Sequence, residues 1–94
     1  MPKKRKKPLF HCGQLCATAG ALKAVPPMEL TLLMKRHLSG DWGDISENDA
    51  AANEDALHYG DRIISWYTAS TNDRIMVITE ADRSATTILL ADEY

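Results

Sequence analysis

Residues 62–90 hold three β-prone runs separated by two short polar turns, and this spacing constrains the fold more than any other feature. Residues 62–68 alternate Ile63, Ser65 and Tyr67 against Ile64, Trp66 and Thr68. Such a period of two marks a half-buried strand. Residues 74–80 place Ile75, Val77 and Thr79 on one face, with Met76 and Ile78 on the other. Residues 86–90 are rich in β-branched side chains. Turns at 69–73 and 81–84 are too short for a crossover, so the three strands read as an antiparallel meander.

The chain before the meander reads as one strand and two helices. A first strand is expected near residues 14–18, with Gly20 as a turn. It adds a fourth strand at an edge or beside the last strand. Pro26-Pro27 suits a helix start. Leu30, Leu33, Met34 and Leu38 then form an apolar helical stripe. Glu29 at one end and Lys35, Arg36 and His37 at the other agree with the helix dipole. Gly40 is placed to end this helix in the left-handed conformation. Ser46, followed by Asp49, fits an N-cap and capping box for a second helix over 47–59. Ala50, Asn53, Ala56 and Leu57 mark its inner face, and Gly60 stops it. The expected fold is α+β: two helices on one face of a three- or four-stranded antiparallel sheet, in the order β-α-α-β-β-β.

Ninety-four residues make one domain, read here as residues 10–94 behind a disordered basic arm at 1–9. Lys3, Lys4, Arg5, Lys6 and Lys7 form that arm. The remaining residues carry six basic and all thirteen acidic groups, a net charge of −7. Such a body repels nucleic acid and anionic membranes, so weak nucleic-acid contact is expected only through the arm. No apolar run approaches the ~18 residues that span a bilayer, and no signal peptide is visible, which places the chain in the cytoplasm by default. Cys12 and Cys16, if extended, lie ~13 Å apart, too far for a disulfide, so reduced thiols are expected.

Two clusters compete for chemistry. His37 lies near Asp41, Trp42 and Asp44 in a Gly-flanked corner between the helices. Glu80, Asp82, Arg83 and Ser84 lie in the last turn. A hydrolase would use His37 as base, an aspartate to orient it and Ser84 as nucleophile, but no nucleophile elbow is present. The acids do not match a calcium loop. His11, Cys12 and Cys16 supply only one end of a zinc site, since no second cysteine pair follows. No Gly-rich phosphate loop exists, so no cofactor and no metal are expected. The bland assignment has the turn acids bonding nearby backbone amides, Arg83 bridging acids in the neighbouring loop, and Trp42 plugging the core.

Gly40-Asp41-Trp42-Gly43-Asp44 and the run 78–90, with Asn53, Ala56-Leu57, Gly60 and Glu93-Tyr94, carry a resemblance. Over residues 14–94 the chain resembles a family of short bacterial proteins of plasmids and integrated conjugative elements, called plasmid-related proteins. Some of its members carry the label "type I restriction endonuclease subunit M". A DNA methyltransferase subunit needs a longer chain and an Asn-Pro-Pro-aromatic motif, whereas Pro26-Pro27 here lies between Val25 and Met28. The resemblance therefore implies an accessory or anti-restriction protein and brings no activity with it. The arm lies outside it. The expected function is non-enzymatic protein–protein contact with a host DNA-processing or defence enzyme, through an acidic loop face built by residues 37–49 and 80–84. The alternatives are nucleic-acid binding through the arm and the hydrolase above. His37, Asp41, Trp42, Asp44, Glu80, Asp82 and Arg83 are the residues of that face.

Overall fold

The computed structural model describes residues 7–94, so residues 1–6 of the basic arm lie outside the described residues; of the rest, Lys7 is exposed and the Leu9 N–H donates to the Leu38 carbonyl at 2.8 Å. The elements run β1 (Gln14–Ala17), α1 (Ala19–Ala24), α2 (Pro27–Leu38), α3 (Glu47–Tyr59), β2 (Ile63–Thr68), β3 (Arg74–Thr79) and β4 (Ala85–Leu90), closed by a 3₁₀ turn at Ala91–Glu93. The fold is α+β, as the pattern predicts.

Two expectations need correction. The sheet is mixed, not wholly antiparallel: its order is β1-β4-β3-β2, and β1 runs parallel to β4. The reason is connectivity: short turns force antiparallel pairing only within β2-β3-β4, whereas α1, α2, α3, β2 and β3 all lie between β1 and β4, so no hairpin dictates the direction of that pair. Gly20 is also not a turn but part of α1. The Thr18 hydroxyl accepts the Ala21 N–H at 3.1 Å and starts that helix. At Gly20 a Cβ would crowd the Glu93 carboxylate, whose oxygen lies 2.5 Å from that point.

The two longer helices match their sequence signals. In α2, Pro27 sits at the first position, and Leu30, Leu33, Met34 and His37 are buried. The stripe thus continues through His37 at i+7, while Leu38 is only half-buried. After the Ser39 C-cap, Gly40 takes φ +86°. Its N–H donates to the His37 carbonyl at 3.2 Å, and the Asp41 N–H donates to the Arg36 carbonyl at 2.9 Å. That pair of bonds is a Schellman motif. Ser46 Oγ accepts the Asp49 N–H at 3.1 Å, and Gly60 closes α3 at φ +75°.

One sheet face packs under the helices. Val25, Leu30, Leu33, Met34, Tyr67, Ile75, Val77 and Ile88 form the larger core there. Trp42, Ala56 and Ile63 form a second cluster, with Phe10, Ile45 and Leu57 against it. Met76, Ile78 and Leu89 pack with Ile64 and Trp66 on the opposite face.

Candidate functional site

A chain of polar side chains runs through the core between the two clusters. Ser65, His37, Thr79 and Thr86 are all fully buried. His37 Nδ1 lies 2.6 Å from Ser65 Oγ, and His37 Nε2 lies 2.9 Å from Thr79 Oγ1. Thr79 Oγ1 lies 2.7 Å from Thr86 Oγ1, which donates to the Cys12 carbonyl at 2.7 Å. That last bond sets every other direction, because a carbonyl only accepts. Thr86 spends its proton on Cys12 and so accepts from Thr79. Thr79 then accepts from His37 Nε2–H, and His37 Nδ1 accepts from Ser65. The imidazole is therefore the neutral Nε2–H tautomer. Burial pushes its pKa down to about 4, which keeps it neutral at pH 7.

This placement decides what His37 can do. Both ring nitrogens are taken by hydroxyls, and the ring is sealed by Phe10 at 5.4 Å and Trp42 at 6.1 Å. Asp41 instead forms a two-pronged pair with Arg36, at 2.7 Å to Nε and 3.3 Å to Nη2. Asp44 Oδ2 accepts from Thr68 Oγ1 at 3.1 Å. Ser84 is exposed in the last turn, where its N–H donates to Asp82 Oδ1 at 2.9 Å. Hydrogen bonding from the Ser84 side chain, and then from this backbone N–H, holds the Asp82 carboxyl below its ordinary value. The structure thus brings His37 and Trp42 together, and it keeps the acids and Ser84 out of reach of the ring nitrogens.

The corner 40–44 does something that its composition does not advertise. The Trp42 carbonyl accepts the Trp66 N–H at 3.1 Å, and the Asp44 N–H donates to the Trp66 carbonyl at 2.7 Å. Gly43 pairs with Trp66 in a parallel bridge. Two residues earlier on β2, Asn53 repeats the service with its side chain. Its Nδ2 donates to the Ile64 carbonyl at 2.8 Å, and its Oδ1 accepts the Ile64 N–H at 3.2 Å. The outward backbone groups of Ile64 and Trp66 are thereby paired. Trp42 is buried and donates its indole N–H to Glu54 Oε2 at 3.1 Å, pinning the corner to α3. The Tyr67 hydroxyl donates to the Asp41 carbonyl at 2.6 Å. Burial pushes that phenol up, out of reach of physiological pH.

The last turn meets the same region from below. Arg83 holds φ +61°, a conformation that costs a non-glycine residue about 1–2 kcal/mol. Its guanidinium donates to four carbonyls: Asp61 at 2.6 Å, Ala56 at 2.7 Å, and Glu80 and Ala81 at 3.2 Å each. It also lies 5.7 Å from the Phe10 ring. Arg83 does not bridge acids, as its neighbours in sequence suggest; it clamps the turn to the C-terminal end of α3, where exposed carbonyls favour a cation. Glu80 pairs with Arg62 at 3.6 Å.

The sequence clusters are therefore joined through His37–Thr79 and through Phe10, but as braces around a dry core. Sequence reasoning missed Asn53 as an edge cap and Ser65, Thr79 and Thr86 as core polar residues. The one available signal is that His37 stands on the apolar stripe of α2, where a titratable ring needs partners. Cys12 and Cys16 are free thiols. Among the described residues, no three His, Cys, Asp or Glu side chains converge to hold a metal ion, and no helix is long and apolar enough to cross a membrane. Comparison with known proteins matched no family, no curated protein and no solved structure.

Proposed function

We propose that this chain is a non-enzymatic accessory protein of a plasmid or mobile element that acts by protein contact, presenting an acidic edge to a host DNA-processing or defence enzyme. The observation that carries this reading is the charge of residues 41–61. They supply the edge-closing corner and α3, with seven acids and no Lys or Arg. Asp41, Asp44, Glu47, Asp49, Asp55 and Asp61 are all exposed. The Arg83 clamp sets the turn carrying Glu80 and Asp82 against the same end of α3. A concentration of exposed carboxylates on a fixed scaffold is what an enzyme with a phosphate-binding groove attracts. The polar seam and the corner supply the rigidity.

The test is competition. The protein is titrated into a labelled DNA duplex bound to restriction and modification enzymes of a bacterial host, and anisotropy is followed. The expected result is displacement of the duplex that weakens as salt rises. It is also expected to weaken in a variant carrying Asp44→Asn, Glu47→Gln, Asp49→Asn and Asp55→Asn. Failure to displace duplex from any of these enzymes, or equal displacement by the amide variant, overturns the reading.

A further inference from the structure

The free side of β1 contrasts with the closed side of β2. The Gln14 N–H donates to the Ser84 carbonyl at 3.0 Å and the Thr18 N–H to the Ile88 carbonyl at 3.1 Å. In a parallel ladder this phase turns residues 14, 16 and 18 towards β4, and it turns the N–H and C=O of Leu15 and Ala17 away from it. Among the described residues, nothing takes up those four groups. β1 also lacks the usual edge protection, since Gln14–Ala17 holds no Lys, no Pro and no charge. Leu15 is 56% exposed on it.

We propose that β1 pairs with β1 of a second copy of this chain, antiparallel, about a two-fold axis through Cys16. In this register Leu15 faces Ala17 of the partner subunit, and the four free backbone groups of each edge are matched in two hydrogen-bonded pairs. A large side chain meets a small one on the same face. Gln14 faces Thr18 of the partner subunit, a polar pair. Cys16 faces its own symmetry copy at a non-hydrogen-bonded position. An uncharged strand meets itself without like-charge repulsion. The acid-rich corner and α3 flank β2, at the far end of the order β1-β4-β3-β2. Pairing through β1 therefore sets the two acidic edges outermost, leaving both free for the contact proposed above while standing independently of it.

The experiment uses the full chain. Sedimentation equilibrium over a wide concentration range should show reversible dimerisation, and Leu15→Lys should shift the protein to monomer without moving its thermal transition at low concentration. Disulfide trapping reads the register. A non-hydrogen-bonded antiparallel pair has Cα atoms about 4.5 Å apart, within disulfide range. Diamide takes two electrons and two protons from the facing thiols, so one S–S bond forms and diamide becomes the hydrazine. The Cys12→Ser variant, which keeps Cys16, should trap as a covalent dimer far faster than the Cys16→Ser variant. A protein monomeric at every concentration overturns the proposal, as does a dimer that survives Leu15→Lys or equal trapping of the two variants.

Discussion

The two outer edges of the sheet offer the same backbone chemistry and receive opposite treatment. On β2, Asn53 and the corner 42–44 take up the groups of Ile64 and Trp66. On β1, Leu15 and Ala17 present theirs outward. The difference teaches that the corner Gly40-Asp41-Trp42-Gly43-Asp44 is a structural lid before it is anything else. It needs glycine for close approach, tryptophan to hold it down, and aspartates that stay outside. The exposed aspartates of the corner therefore sit on a surface whose geometry is fixed from beneath.

The largest break in this comparison comes from Gly43. Its φ is +78°, and a Cβ there would collide with the Trp66 carbonyl oxygen. Gly43→Ala is expected to force the corner off β2. It adds left-handed strain and loses the two bonds to Trp66, roughly 3–4 kcal/mol in all. Urea denaturation measures it. Gly60→Ala is the control: φ is +75°, but the nearest atom to its Cβ is the Ala81 carbonyl oxygen at 4.0 Å. It should cost only the backbone strain, about 1–2 kcal/mol. Equal losses for the two variants would show that the edge contact contributes nothing.

Next in size is the pH response of the seam beneath the closed edge. His37 is held neutral, with a pKa pushed down from 6.5 to about 4. The unfolded chain gains the proton first as pH falls, so stability drops below pH 6.5 and levels off below about 4. Between pH 7 and pH 5 the loss should be roughly 2 kcal/mol. Hydrogen bonds hold the carboxyls of Glu29, Asp82 and Glu93 below their ordinary values, so their contribution is present at pH 7 and fades only below about 4.5. The interval from 7 to 5 thus isolates the imidazole. His37→Gln should flatten the slope there, and an unchanged slope would remove His37 as its source.

What the sequence carried, and what it did not, follows the same divide. Local signals were legible because they are local: the α2 stripe, the Gly40 and Gly60 stops, the Ser46 cap and the alternation along β2 and β3. Trp42 was legible as a plug because a lone indole between helices has few other uses. A place for β1 at an edge or beside the last strand was legible, but its parallel direction was not, because β1 joins β4 across some seventy residues and no short turn fixes that pair. Helix α1 was hidden by Gly20, whose propensity argues for a turn, while the Thr18 cap and the Glu93 contact outweigh it. Thr79 and Thr86 read as ordinary strand residues. Only the position of His37 across the sheet turns them into a seam. The acids of residues 41–61 were legible as charge, but not as exposed groups on the elements that cover an edge.

Asn53 gives a smaller and more local break. Asn53→Ala leaves the Ile64 N–H and C=O without partners, and water reaches them only in part. The expected cost is about 1–2 kcal/mol. Hydrogen exchange sharpens the reading, because the Ile64 amide should lose protection while the Trp66 amide, bonded to the Trp42 carbonyl, keeps most of its own. Equal loss at both sites would mean that α3 and the corner close the edge as one unit.

The smallest effect is expected on the open edge. Leu15 is more than half exposed, its backbone groups bond to no described residue, and its side chain belongs to none of the core clusters. Leu15→Lys at a concentration low enough to keep the protein monomeric should change the unfolding free energy by no more than about 0.5 kcal/mol. A single substitution at a sheet edge is thus expected to cost several times more at Gly43 than at Leu15. A loss above about 1 kcal/mol at Leu15 would mean that β1 is braced within the monomer. The contrast between a sealed edge and an available one would then fail, and with it the reason for expecting a second copy there.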